Sequence, residues 1–416
     1  MRTSRCSRPI VASFLLAGAL AGCSGSGESG PLPLPEPQSL EAGITRIATR
    51  LSSAEFLGRD EGTPGGIAAR AYLLEEWKAC GIEPLVDGGY EQPILTGKGA
   101  NILGRIRGTD PSLADRHVLV SAHYDHLGED CDDGPYCPGA YDNAAAVGIV
   151  IQVACGLAAN PPARSVIVAH WDAEEPPTVR TDKMGSNFYA ANPLIPLSSL
   201  DASIVLDLTG TGMWPGYGGH FVMGSETSPQ LTALVASATV PDGLTIFRGS
   251  LHTIEEQSFG HHPWSDYDAF RNAGVPVLFL SDGQTKVYHL ATDTIDKVDM
   301  AKAGREASYL AGLVRTLAEA EVTPVFAPAD DYLHDARTVT AILEDALLEG
   351  GGVSLLGLQP ESIASLQGDS VKLAATLARL EGGATATADD IAIIRIAVQR
   401  VMCLASQLPD FLCQAL

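Results

Sequence analysis

Basic residues are scarce in this 416-residue chain: 27 lysines and arginines stand against 50 aspartates and glutamates, a formal net charge of −23. No basic patch stands out against that field, which excludes nucleic acid as a partner. An acidic surface keeps a protein solvated and mildly attracts cationic ligands, free peptide amino termini among them. After the first residues the chain also lacks any uninterrupted apolar run of the ~20 residues that a bilayer span needs. It carries no internal repeat. What remains is a chain that is 45% hydrophobic and 19% charged, ample for a large core and for more than one domain.

The amino terminus reads as a targeting segment. Arg2, Arg5 and Arg8 precede the apolar stretch Ile10 to Leu20, which is too short for a permanent span and has the form of a signal h-region. Leu20-Ala21-Gly22-Cys23 resembles the lipobox of bacterial lipoproteins. That resemblance implies a signal peptide over 1–22, a lipid on Cys23 and an exported lipoprotein of the cell envelope: outer membrane, periplasm-facing, or outer surface. The alternative is an ordinary secreted protein with an incidental Cys23. Residues 23–40, rich in Ser, Gly and Pro, read as a flexible tether. Export permits disulfides. Cys131 and Cys137 can close a short loop, and Cys403 and Cys413 flank Pro409. Cys80 and Cys155 each lie in an Ala-Cys-Gly triplet closing an apolar helix and read as small buried residues.

Periodicity predicts helices over Ile44–Leu57, Ile67–Cys80, Ala144–Leu157, Pro229–Ala238 and Met300–Ala318. Strands are predicted near Asn101–Ile106, Val118–Val120, Ser165–His170, Ala202–Leu208, His220–Met223 and Val275–Leu280. Their alternation implies an α/β fold: a mixed, mostly parallel twisted sheet flanked by helices over 41–322. Thr323-Pro324 and Ala327-Pro328 mark a linker. The following residues, 323–416, read as an all-helical extension with helices at Thr338–Leu348, Ser362–Leu380 and Asp389–Leu404, and no cluster there carries chemistry.

Chemistry concentrates at the ends of the predicted strands. His123 and Asp125, Asp142, Glu174-Glu175, Asp207 and His289 stand at or just past apolar runs. In open α/β sheets that position is where ligands bind. Histidine and carboxylate ligands without cysteine suit zinc and tolerate manganese or cobalt. Two cations ~3.5–4 Å apart need a ligand that spans them, and a carboxylate can do so, with Asp142 as the candidate bridge. Asp125 is placed to orient the His123 imidazole through its other nitrogen. In Glu174-Glu175 one carboxylate can hold metal while its neighbour takes a proton from water and returns it to the leaving amine. Singly each motif is commonplace; their joint order points to one site. His170 reads as a core residue and His252 as a surface one. His126 lines the site or caps its loop.

The residues His123-Tyr124-Asp125-His126-Leu127-Gly128, Gly139-Ala140-Tyr141-Asp142-Asn143, Asp172-Ala173-Glu174-Glu175, Gly185-Ser186, Leu206-Asp207-Leu208, Ser265-Asp266-Tyr267 and Tyr288-His289 occur in this order. In them the chain, over about 44–318, resembles the di-zinc aminopeptidases of the clan MH metallopeptidases, whose relatives include glutamate carboxypeptidases and glutaminyl cyclases. The resemblance implies a zinc exopeptidase-like fold and two zinc ions. Asp142 would bridge them, Glu175 and His289 would complete one site, and His123 and Asp207 the other. It makes Glu174 the general base and Asp125 the partner of His123, and implies a cis peptide at Asp142-Asn143. Tyr141, Ala144-Ala145, Ala173 and Pro176-Pro177 depart from the family's pattern. His262 takes the place of a tyrosine that in several relatives helps hold the oxyanion, and could donate there or be a surface turn.

The expected activity is removal of amino-terminal residues from peptides or small amides. Three alternatives stay open: a carboxypeptidase-like relative gripping a carboxylate through Arg180 or Arg248, a glutaminyl cyclase running on one zinc, and a non-catalytic binding protein.

Overall fold

In the computed structural model, which describes residues 34–257 and 260–406, side chains along the central strands divide by parity between two cores. Val118, Val120, Ala122, Val166, Val168, Ala202, Ile204 and Leu206 face one side. Leu119, Ile167, Ala169, Trp171 and Val205 face the other. Parallel strands covered on both faces need apolar residues at nearly every position, hence their continuous Val/Ile/Leu runs. Beyond this description lie the leader, Cys23, most of the tether and Cys413, so the expected lipid site and the Cys403–Cys413 pair fall outside the described residues.

The strands are β1 (Glu83–Pro84), β2 (Glu91–Pro93), β3 (Ala100–Ile106), β4 (His117–His123), β5 (Ser165–Trp171), β6 (Leu200–Leu206), β7 (Gly219–Met223), β8 (Thr245–Gly249), a small hairpin β9 (Glu256–Gln257) and β10 (Gly260–His261), and β11 (Val277–Ser281). The main sheet runs β1-β3-β5-β4-β6-β11-β7-β8, with β2 also on β3. Its centre, β5-β4-β6-β11, is parallel. β3 and β7 enter antiparallel, and β8 joins β7 in parallel. The fold is the expected mixed α/β sheet, and its register aligns His123 with Trp171 and Leu206 with Leu280. The carboxyl ends of the four central strands therefore open on one edge.

One face carries α1 (Pro37–Leu51), α2 (Pro64–Ala79), α3 (Ala145–Ala159) and, later in the chain, the long helix 300–319. Helix α1 buries Ile44, Ile47, Ala48 and Leu51 at i, i+3, i+4 and i+7. It starts inside the expected tether because Pro37 suits the first helical turn. It stops before the expected Leu57 because the Ser52 hydroxyl bonds back to the Ala48 carbonyl at 2.8 Å and Leu57 and Arg59 adopt positive φ. The stretch from Ala140 to Ala159 is apolar and long enough to cross a bilayer, yet it is mostly buried inside the protein. Helices α4 (Gly185–Ala191), α5 (Pro229–Ser237), α6 (Leu251–Glu255), α7 (Tyr267–Asn272) and α8 (Met300–Glu319) complete this part.

Two cysteines correct the sequence reading. Cys80 and Cys155 form a disulfide between the ends of α2 and α3, 75 residues apart, rather than sitting as free buried thiols. Cys131–Cys137 closes its loop as expected.

The helical extension comprises α9 (Tyr332–Leu347), α10 (Gly352–Leu355), α11 (Pro360–Glu381) and α12 (Ala388–Ser406). Its Ala336, Val339, Ile342, Leu343, Leu373, Ile394 and Ala397 share one core with Met213, Trp214 and Tyr217 of the preceding sheet layer. Polar anchors fix this contact. Buried Asp335 accepts from the Ser250 amide at 2.8 Å and the Thr253 hydroxyl at 2.6 Å, and Gln399 donates to the Glu256 carbonyl at 3.1 Å. The extension also covers His252, which is half-buried edge-on to Tyr332 rather than on the surface.

Candidate metal centre

The predicted ligands converge. His123 is the last residue of β4, Glu174-Glu175 follow β5, Asp207 directly follows β6, His289 lies in the loop after β11, and Asp142 sits in the turn leading into α3. His123 Nε2 lies 3.3 Å from Asp207 Oδ1 and 3.5 Å from Asp142 Oδ1. On the other side, His289 Nε2 lies 3.3 Å from Asp142 Oδ2 and 3.0 Å from Glu175 Oε2. Asp142 thus turns one oxygen to each group. Tetrahedral bonds of ~2.0–2.1 Å place ligand atoms ~3.3 Å apart, so these spacings fit a cation within each set. Buried Asp142 Oδ2 and His289 Nε2 have no hydrogen-bond partner among the described residues, as atoms reserved for an ion would. The donor set therefore fits zinc at both positions.

Neighbours hold the ligands in place. His123 Nδ1 meets the Asp125 main-chain carbonyl at 3.3 Å, with the carboxylate Oδ1 3.6 Å away, and Asp125 Oδ2 accepts the Glu175 amide at 3.1 Å. Asp125 thereby steadies the imidazole through its main-chain carbonyl and the glutamate pair through its carboxylate, whereas the sequence reading expected the carboxylate to orient the imidazole. His126 bonds Glu175 Oε1 through Nδ1 at 2.7 Å and lies 3.8 Å from Asp142 Oδ2, so it lines the site. Its Nδ1, Asp142 and Glu175 could themselves hold an ion. The Asp142 turn is pinned twice. Asp293 accepts from the Tyr141 and Asp142 amides at 2.9 and 3.1 Å. Fully buried Arg59 donates to the carbonyls of Leu51, Tyr124, Pro138, Gly139 and Asp142 at 2.6–3.3 Å. Neither Arg59 nor Asp293 is evident from the sequence, because a charged residue among turn-rich neighbours carries no signal that its partners are main-chain groups. Gly139, at φ 61°, is required, since a Cβ there would come within 2.4 Å of the Asp142 carbonyl. The Asp142-Asn143 peptide is cis, as the resemblance implied.

Ala173, Leu208 and His289 hold left-handed φ of 57°, 57° and 60°. Such conformations are unfavourable for residues with a Cβ, and their clustering beside ligands is usual for functional sites. Charge is equally concentrated. Burial, reinforced by the Asp207, Asp266 and Glu175 carboxylates, holds the Glu174 carboxyl well above its ordinary range despite His123. Burial also pushes Asp266 up to about 7. Burial opposes the protonation of His289, but Glu175 and Asp142 outweigh it and raise the imidazole to about 10. So many carboxylates facing so few cations call for positive charge.

Asp142, Glu174, Glu175 and Asp207 open on a cavity of about 230 Å³. His262 stands on its wall, half-buried, edge-on to Trp264 and in contact with Arg180. Of the two arginines considered for carboxylate binding, Arg180 lines this cavity, whereas Arg248 contacts His334 of the extension.

A mixed sheet that gathers imidazoles and carboxylates at its carboxyl edge is the architecture of a zinc exopeptidase-like metalloenzyme. Residues 101–314 match the model of Peptidase family M28, and the chain belongs to that family. Membership supports a metallopeptidase-type function with zinc as the metal and peptides as substrates. The chain is similar to the uncharacterized protein YfbL of Escherichia coli (strain K12), 26% identical over 235 residues, 50% of this chain and 68% of that protein. Solved structures sharing the fold include LapB of Legionella pneumophila, at 16% identity over 70% of this chain and 78% of that one, TM-score 0.53. An aminopeptidase from Aneurinibacillus sp. strain AM-1 shares 13% over 71% and 98%, TM-score 0.53. A Bacteroides thetaiotaomicron glutaminyl cyclase bound to N-acetylhistamine shares 17% over 68% and 99%, TM-score 0.52.

Proposed function

We propose that the chain is a two-zinc exopeptidase removing amino-terminal residues from peptides, and that it works in the cell envelope, tethered through a lipid on Cys23. The observation that carries the enzymatic reading is Asp142, whose two oxygens face two separate ligand sets. His123 and Asp207 would hold one zinc, Glu175 and His289 the other, with Asp142 common to both. When bound, the pair would polarise the scissile carbonyl and acidify the attacking water.

The chain's own residues supply the rest. Glu174 lies 3.9 Å from His123 and faces the cavity beside the ligands, placed to take a proton from water and deliver it to the leaving amine. Its burial favours holding that proton between the two steps. Asp125 keeps His123 in register through its main-chain carbonyl and the glutamate pair through its carboxylate. His262, on the cavity wall, is assigned as the donor that steadies negative charge on the carbonyl oxygen.

In zinc-replete protein, Glu174→Gln is expected to lower turnover of aminoacyl substrates by ~10²–10⁴-fold. Elemental analysis of the variant should still find two zinc ions per chain. Near-normal turnover refutes the reading. One zinc per chain with turnover of a glutaminyl substrate alone would favour a cyclase.

A further inference from the structure

Given the exopeptidase reading above, we propose that helices α9 and α12 of the carboxyl-terminal extension form the wall of the substrate side-chain pocket. They would select peptides whose amino-terminal residue is large and apolar. The cavity that opens on Glu174 and Asp142 is also lined by Val339 and Ile342 of α9 and by Val398, Val401 and Met402 of α12. Val339 and Ile342 fall one turn apart on α9, as Val398 and Val401 do on α12, so each helix presents one apolar stripe to the cavity. The sheet side contributes Met213, Phe221, Met223 and Phe279. Met and aromatic side chains provide an adaptable apolar lining.

The polar residues at this wall are already engaged. Asp335 spends its two oxygens on the Ser250 amide and the Thr253 hydroxyl, and Thr338 donates to the Arg248 carbonyl. This wall therefore offers a charged side chain no ready partner, and burying a charge unpaired is costly. At about 230 Å³ the cavity falls below the ~300–1,000 Å³ of pockets for drug-sized ligands. It suits one large side chain rather than a long segment. Asp142, Glu174, Glu175 and Asp207 line the same cavity, so a side chain lodged against α9 and α12 would share it with the reacting groups. The extension packs as one core with the sheet layer through Trp214 and Tyr217, which gives this wall a fixed position.

The test uses the full zinc-loaded chain with p-nitroanilides of Leu, Phe, Ala and Glu. A second readout that needs no turnover is binding of leucine hydroxamate against glycine hydroxamate. The wild type should favour Leu over Ala, and Ala over Glu, by about tenfold or more in kcat/KM, the scale of discrimination by apolar pocket contacts. Ile342→Phe fills the pocket and should cut the Leu/Ala ratio at least ~10-fold, with a parallel loss of preference for leucine hydroxamate. Val398→Ala widens it and should move preference toward Phe. Circular dichroism and urea unfolding establish that each variant is folded; if Ile342→Phe is not, Val398→Ala decides. Folded variants that keep the wild-type ratios within twofold in both readouts overturn the proposal. If the wild type cleaves no anilide, the exopeptidase reading fails while the pocket is still judged by binding. Preference for leucine hydroxamate that Ile342→Phe abolishes supports this wall, and equal binding of the two hydroxamates overturns it.

Discussion

Replacing Arg59 by methionine tests whether a residue that touches no metal ligand side chain nevertheless builds the centre. The guanidinium is fully buried and donates to five carbonyls, three of them in the 138–142 turn that delivers Asp142. Hydrogen bonds from charged donors contribute ~1.5–3 kcal/mol each, and a buried acceptor left without a partner costs ~1–3 kcal/mol. Burial depresses the guanidinium to about 10, so it stays cationic at pH 7 and its desolvation offsets part of that gain. Contributions within one network do not add. The net expectation for Arg59→Met is therefore a loss of about 3–5 kcal/mol in urea unfolding. With the turn released, zinc affinity should fall ~10–100-fold, as when an outer partner of a ligand is removed. Arg59→Lys, with three donors on a point charge, should lie between. Unfolding within ~1 kcal/mol of wild type together with unchanged zinc affinity would refute the reasoning.

Away from the centre, burial pushes Glu226 up to about 8, with Oε1 accepting the Leu251 amide at 2.7 Å. Its folded value exceeds the unfolded ~4.3, so its stability contribution is complete below ~4.3 and is lost as pH rises through about 8. Wild-type thermal unfolding should shift downward between pH 7 and 9, and Glu226→Gln should flatten that slope; equal slopes would refute the assignment. The Cys80–Cys155 link closes 75 residues, for which chain entropy gives about 4.5 kcal/mol. Replacing both cysteines by alanine should cost ~2–5 kcal/mol without changing zinc content, and a cost under ~1 kcal/mol would contradict it.

The candidate ligands were legible because His123, Glu174-Glu175 and Asp207 end or follow strands whose β-branched runs announce themselves, and a strand's end is where α/β sheets place chemistry. The scaffold behind the ligands was less so. Arg59 works through main-chain carbonyls, which leave no trace in residue types. Strand β8 was missed because Thr245–Gly249 is only partly buried and does not alternate cleanly. Helix α9 begins at Tyr332 rather than Thr338, since the Asp331 carboxylate caps the His334 amide at 3.3 Å ahead of the periodic stretch. An amphipathic stripe reveals that the extension has a buried face but not what that face meets. Its residues at the cavity, such as Val339 and Val398, read only as apolar helix positions until the sheet layer was placed against them.

That placement has a temporal side. His123, Asp142, Glu174, Glu175, Asp207 and His289 all precede residue 300, whereas α12 begins at Ala388. During synthesis the proposed ligands can all be present while nothing yet closes the hollow beside them, because domains acquire structure from the amino terminus onward. A polypeptide interrupted between those points would possess every proposed zinc ligand yet lack the helices that line the recess beside them. The chain order thus makes the recess the last part of the molecule to be finished.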